Sequence, residues 1–380
     1  MKPLTLLTIA LTCFATLVTG HWSLVAGQTV KITTFNVSWL GCPSQSPNND
    51  ELQIQNVAEV IKKVDADIVA LQEITMSPVN SLEALLEHLG SEWGGEVKLH
   101  AYNNSCYQDM GIIYKKANVS LTSSAFISNG WARNPALYSM KVAIGGKTMQ
   151  LEIVNIHAKA TSRYSDDPEE DYKMRKTNST SLKTVLDRAT YNTKNVIIIG
   201  DYNDYLEGTQ CKPCAAGSPS PYKNFMDDVN NYKGLTRSFA SHIDHITISN
   251  ELFPFYVSNS VARETAVTAT IPSYRSTTSD HTPVSITLDF DNATAAPKTA
   301  YSAQLQLFPN PVRGELSIES GECNIAAVKV FSLSGVLVFE QKNIHAPQHT
   351  ISTSAWQSGA YIVTVYSEKG EAGSKLVIRD

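Results

Sequence analysis

The chain has 380 residues, 42% of them hydrophobic and only 18% charged, a balance that supports a sizeable core and argues against a disordered polymer. Its formal charge of −5 excludes a protein that wraps nucleic acid by charge alone. It does not exclude an enzyme that visits a polyanion briefly through a metal ion.

The N-terminus predicts a secretory signal peptide over residues 1–27. Lys2 supplies a positive start, and Leu4 to Val18 run 15 residues without a charge, too short to span a bilayer comfortably. Small residues at 18–20 and 25–27 offer cleavage after Gly27, with Gly20 as the alternative. Cys13 lies inside the apolar run and does not fit a lipoprotein box. No later run reads as transmembrane, so a soluble, exported monomer without stable membrane insertion is expected. Losing Lys2 and no acid takes the charge from −5 to −6.

Export permits disulfides. Cys211-Lys-Pro-Cys214 lacks a second ligand pair for zinc, so a local disulfide is expected there. Cys42 with Cys106 is a second possible bridge, which leaves Cys323 over.

Over 28–290, β-branched runs alternate with amphipathic stretches. Strands are predicted at 30–37, 66–74, 111–116, 151–160, 195–204, 242–249 and 281–290, bounded by Gly, Pro, Asn or Asp. Helices are predicted from Leu52 to Val64, Val79 to Leu89 and Tyr172 to Ala189. This mixture points to a layered α/β domain. Residues 291–303 (DNATAAPKTAYSA) have linker composition. Residues 304–380 carry short alternating strands without a helix signal, as a small all-β sandwich does.

Polar residues close or open the apolar runs of the large domain: Asn36, Glu73, His157, Asp201 with Asn203, Asp244, and Asp280 with His281. Singly, each has an ordinary explanation: a surface glutamate, a satisfied core histidine, a turn, a strand cap. Together they repeat one arrangement, an acceptor or histidine at the same end of a hydrophobic strand. Strand ends of a layered sheet converge on one edge, where active sites form.

The order of TFNV (34–37), LQE (71–73), NIHAKA (155–160), GDYND (200–204), IDHI (243–246) and SDHTPV (279–284) resembles the endonuclease/exonuclease/phosphatase superfamily over about 250 residues. The resemblance implies a four-layered α/β sandwich and divalent-metal phosphoester hydrolysis. It implies Mg²⁺, with Mn²⁺ as a substitute and Ca²⁺ as a possible structural ion, near Glu73, Asp280 and Asn36. It also implies that Asp201 activates the attacking water and that Asn203 orients it or holds the phosphate. His157 then donates to a phosphate oxygen, and His281, fixed by Asp244, stabilises the transition state or protonates the leaving oxygen. Gly200 is expected to leave room for a turn beside the phosphate, and Asp204 to shape the loop. Some members carry an acid where Ser38 stands here, and Asp109 is the candidate support for His157.

Basic residues between Lys173 and Lys194 suggest either a solvated helix face or a polyanion contact, with Arg175 the substrate-binding candidate. Acids just before them weaken that field.

The C-terminal stretches LFPNPVRGELSI (307–318), VFSLSGVLVFEQ (330–341), WQSGAYIVTV (356–365) and KLVIRD (375–380) resemble a type A sorting domain of type IX secretion. The resemblance implies that residues 304–380 engage the type IX machinery and that the protein is secreted or held at the cell surface. Trp356, Tyr361 and Tyr366 are expected in the core rather than in a binding strip. Three functions compete. The first is a secreted endonuclease on DNA, perhaps RNA; the second is a sphingomyelinase-like phospholipase, with Leu252–Tyr256 as membrane hairpin. The third, a binding module without activity, has no use for both the Asp244–His281 and the Asp201–Asn203 pairs.

Overall fold

A computed structural model describes residues 28–45, 47–76, 80–100, 106–128, 130–131, 133–161, 167–291, 305–321, 323–332, 336–368 and 372–380. The predicted signal peptide and nearly all of the linker at 291–303 lie outside the described residues.

β1 (Thr29–Leu40) leads through α1 (Asp50–Val64) to a parallel partner, β2 (Ile68–Ile74). The Asn49 side chain caps α1, its acids stand in the first turn and its lysines in the last, which suits the helix dipole. Ile54, Val57, Ala58 and Ile61 form its buried stripe. α2 (Ser81–Leu89), β3 (Trp93–Lys98) and β4 (Asp109–Lys115) follow. The chain then builds a second sheet from β5 (Val119–Phe126), β6 (Ala136–Ile144), β7 (Lys147–His157) and, past α3 (Pro168–Leu186), β8 (Val196–Asp201). α4 (Lys223–Met226), β9 (Tyr232–Gly234) and β10 (Asp244–Ser249) complete that sheet. β11 (Ala262–Arg263), α5 (Thr265–Thr268), α6 (Tyr274–Thr277) and β12 (Val284–Asp289) return to the first.

The strand orders are β11-β12-β1-β2-β4-β3 and β5-β6-β7-β8-β10-β9. One apolar core lies between the sheets, with Ile32, Ile68, Met110 and Ile112 meeting Tyr138, Leu151, Ile197 and Ile246. A second core seats α1 and α2 on the outer face of the first sheet, and a third seats α3 and α4 on that of the second. Four layers result, as expected. Beneath the site a buried polar chain joins the sheets. Thr34 Oγ1 donates to Gln72 Oε1 at 3.1 Å, Gln72 Nε2 donates to Asn155 Oδ1 at 2.8 Å, and Asn155 Nδ2 reaches Leu71 O and Gly111 O.

β3, β5, β6, β9 and β11 were not predicted. The Gly94-Gly95 pair in β3 and the Ser/Thr run of β5 mask their strand character, and packing against neighbours supplies it. Gly200 has a different role from the expected one. It pairs with Ile156 inside the sheet at φ +142°, and a Cβ there would stand 2.0 Å from Ile156 O. It admits the close approach of β7 and β8 rather than a turn beside a phosphate.

Beyond the linker, β13 (Gln306–Phe308), β14 (Glu315–Glu319) and, later, β17 (Gln348–Ser352) form one antiparallel sheet. β15 (Ile325–Ser332), β16 (Leu337–Ala346), β18 (Gly359–Ser367) and β19 (Ala372–Arg379) form another. Both sheets share one core that includes Trp356 and Tyr361, as a sandwich does. Cys42–Cys106 and Cys211–Cys214 are disulfide-bonded, and Cys323 is buried outside both. Among the described residues no helix is long and apolar enough to cross a membrane.

Candidate active site

β1 and β2 are parallel, as are β7 and β8, whereas β10 and β12 run against their partners. The C-terminal ends of the first four strands therefore meet the N-terminal ends of the last two on one edge. A bulge between Asn36 and Leu40, opposite Gln72 to Ile74, turns Glu73 out of the ladder at φ 63°. Asn36 Nδ2 then donates to Glu73 Oε1 at 2.9 Å and to Asp201 Oδ2 at 3.1 Å, and Trp39 N donates to Glu73 Oε2 at 3.2 Å.

His157 and Asp201 are register partners at the ends of β7 and β8. His157 Nε2 lies 3.6 Å from Glu73 Oε1 and 3.7 Å from Asp201 Oδ2. Burial holds this imidazole neutral, well below the usual histidine range, and the nearby charges of Arg133 and His281 add to the effect. Its Nδ1 is buried without a hydrogen bond among the described residues.

Burial also pushes the Asp201 carboxyl up to about 7; Asp244 and Glu73 add to that, while His281 and the Asn203 N–H oppose it. Asn203 N donates to Asp201 Oδ1 at 2.8 Å, and Asn203 Nδ2 reaches Ala158 O at 3.1 Å. That grip keeps Asn203 at φ 51°. His281 Nδ1 stands 2.8 Å from Asp244 Oδ2, and its Nε2 is 3.8 Å from Asp201 Oδ2. Burial disfavours charge on His281, but the Asp244 carboxylate and its hydrogen bond outweigh it and hold the pKa well above the usual range.

Two acid–histidine clusters result, Glu73–His157–Asp201 and Asp201–Asp244–His281, each with potential ligand atoms within 4.8 Å of one another. Glu73 and Asp280 also line a cleft of about 220 Å³ with Ser38, Trp39, Pro47 and Arg275. Solvent-facing carboxylate oxygens beside a hydroxyl are the hard donors that suit Mg²⁺ or Mn²⁺. Asn36 Oδ1 accepts from Ser38 N at 3.0 Å, and its nitrogen faces the carboxylates and positions them. Ser38, standing where some family members carry an acid, donates to Asp280 Oδ1.

The structure moves three expectations elsewhere. Arg175 is fully buried, gripping Asp204 Oδ2 through Nε at 3.1 Å and Nη2 at 2.8 Å, so it meets no substrate. Asp204 also accepts from Gln210 N and Thr209 Oγ1, which holds the loop. Asp109 accepts from His100, not from His157. Leu252 is buried, and Phe253, Phe255 and Tyr256 pack against the inter-sheet core, so this segment is no exposed membrane hairpin.

Other site residues have no role expected from the sequence. Arg133, on the connection from β5 to β6, donates to Ala158 O at 3.3 Å and to Gln108 Oε1; burial lowers its pKa, and Glu73 and Asp201 raise it. Ser279 Oγ donates to Asn36 O at 2.7 Å and accepts from His281 N at 3.0 Å, joining the two sides of the site. Both lie between predicted elements; Ser279 opens the SDHTPV motif but has no expected role of its own, and nothing in the sequence separates Arg133 from ordinary loop residues.

Residues 33–281 match the model of the Endonuclease/Exonuclease/phosphatase family, and residues 306–379 match the Secretion system C-terminal sorting domain. No curated protein matches the chain. Among solved structures, the human Nocturnin catalytic domain is similar at 13% identity and a TM-score of 0.49, covering 69% of this chain and 94% of that one. An endonuclease/exonuclease/phosphatase from Bacteroides vulgatus is similar at 16% identity and 0.48, covering 69% and 98%. A further one from Bacteroides thetaiotaomicron gives 15% and 0.47, covering 69% and 96%.

Proposed function

Because the chain belongs to the endonuclease/exonuclease/phosphatase family, we propose that it is a divalent-metal-dependent phosphodiesterase that cuts nucleic acid internally, DNA first and RNA second. The family is hydrolytic, and the sorting domain marks the chain for type IX export, to secretion or to the cell surface.

The observation that carries the reading is the meeting of Glu73, His157, Asp201, Asp244 and His281 on one edge of two sheets. Glu73 and Asp280 would hold the Mg²⁺, whose positive charge would offset the anionic phosphodiester. Asp201, whose pKa burial raises to about 7, takes the proton of the attacking water at Oδ2. Asn203 and Asn36 hold that carboxylate in place through their N–H groups. Neutral His157 donates from Nε2 to a non-bridging oxygen. His281, kept charged by Asp244, gives its Nε2 proton to the leaving oxygen.

The purified protein should degrade plasmid DNA with Mg²⁺ or Mn²⁺, and EDTA should stop it. Release of phosphocholine from sphingomyelin, with DNA and RNA untouched, would overturn the reading in favour of a phospholipase.

A further inference from the structure

Two side chains of the cleft beside Glu73 have no role in the chemistry above. Trp39 and Arg275 both line it, together with Glu73 and Asp280. Trp39 sits at φ 55°, in the left-handed region that bulky residues avoid, because the bulge after Asn36 and the bond from its N–H to Glu73 fix the backbone there. The ring is half-buried rather than packed into either neighbouring core. Arg275 is exposed on α6; it donates to Asp280 O at 3.3 Å and forms no ion pair among the described residues.

An indole and an exposed guanidinium lining one cleft favour a ligand that is flat and anionic. An indole alone also suits a quaternary ammonium such as choline. Arg275, lining the same 220 Å³ cleft, disfavours that cation once the Glu73 and Asp280 carboxylates are engaged by Mg²⁺. A nucleotide satisfies both groups: its base stacks on the indole and its phosphate meets the guanidinium. In a duplex, neighbouring bases cover the base faces, so only an unstacked base can use the indole.

We propose that Trp39 and Arg275 form a subsite for the nucleotide beside the scissile phosphate, with Trp39 stacking on its unpaired base and Arg275 binding its phosphate. The preferred substrate is therefore single-stranded nucleic acid. This rests on the nuclease reading and narrows it.

The test uses the full-length protein with Mg²⁺ and three substrates of equal length: a single-stranded DNA oligonucleotide, its duplex, and a single strand carrying abasic sugars throughout. Wild type should show a higher kcat/KM on the base-bearing single strand than on either of the others. Trp39→Ala should raise KM on that strand by about tenfold, with kcat held and the abasic strand unaffected. Trp39→Phe, which keeps a ring, should recover most of the loss. Arg275→Ala should raise KM on both single strands and shallow the salt dependence by about one charge. Equal losses on base-bearing and abasic strands from Trp39→Ala, or a kcat loss that Phe does not rescue, would show that Trp39 merely shapes Glu73. Equal cleavage of duplex and single strand by wild type would likewise overturn the subsite while leaving the nuclease reading intact. A wild type that cuts none of the three sinks both.

Discussion

Asp201, Asn203 and Asp204 stand within four positions yet face different surroundings. Asp201 opens onto the clustered histidines, whereas Asp204 is sealed against Arg175 with both side chains at 0% exposure. Asp201→Asn keeps the shape and removes the proton acceptor. It should lower kcat by about 10²–10⁴ while the thermal midpoint stays within a few degrees; a variant with near-normal turnover would remove Asp201 from the chemistry. Arg175→Met is expected to do the reverse. Leaving Asp204 buried without its cation should cost about 3–5 kcal/mol in urea unfolding, and Arg175→Met with Asp204→Asn should recover part of it. If Arg175→Met unfolds like wild type but binds DNA poorly, the surface role suggested by its basic neighbours returns. Asp201, His157, Asp244 and His281 are legible in the sequence because each sits where an apolar run ends. Arg175 is not, because whether a helical arginine faces solvent or a buried acid depends on what the next layer brings to it.

The strands deliver these residues, and a polar chain keeps the two sheets in register beneath them. Asn155 is the hub, since it accepts from Gln72 and donates to Leu71 O and Gly111 O across the inter-sheet space. Asn155→Leu should strip partners from three buried polar groups and cost about 3 kcal/mol or more, measured as a shift of the urea midpoint with little change in slope. It should also lower turnover, because Asn155 lies two residues before His157 on β7. A variant as stable as wild type would mean that the apolar core alone aligns the sheets. β1, β2, β7, β8, β10 and β12 are legible because they are buried, β-branched and bounded by turn residues. β5 is hidden because alternate residues of an edge strand face solvent and include Ser and Thr. The bulge that turns Glu73 outward leaves no mark in composition, since it arises from the unequal count of residues between two paired strands.

At the scale of the whole molecule, export places the protein where pH is not buffered by a cell, so its acid limit becomes a property of the fold. Two buried histidines beside Asp244 set part of that limit. Burial lowers His245 to about 3 and His242 to about 4, against about 6.5 in an unfolded chain. His242 faces Asp244, which favours its charge, and Arg263 and His281, which disfavour it; His245 faces His242, Asp244 and the Asp204 carbonyl. Both folded values lie below the unfolded one, so between about pH 6.5 and pH 4 the unfolded chain binds protons that the native state refuses. Stability therefore falls as pH drops through that window, by up to about 1.4 kcal/mol per pH unit for each histidine. Asp201 and His281, both raised, act in the opposite sense, binding protons more readily when folded. A variant comparison removes their common contribution. His242→Phe keeps a ring against Phe239 and His245 and deletes one titration. Its unfolding free energy should fall about 2 kcal/mol less than that of wild type between pH 7 and pH 4.5, read from urea curves at both pH values with EDTA present. Parallel losses in the two proteins would mean that His242 charges in the native state without penalty, and that the acid limit lies with other groups.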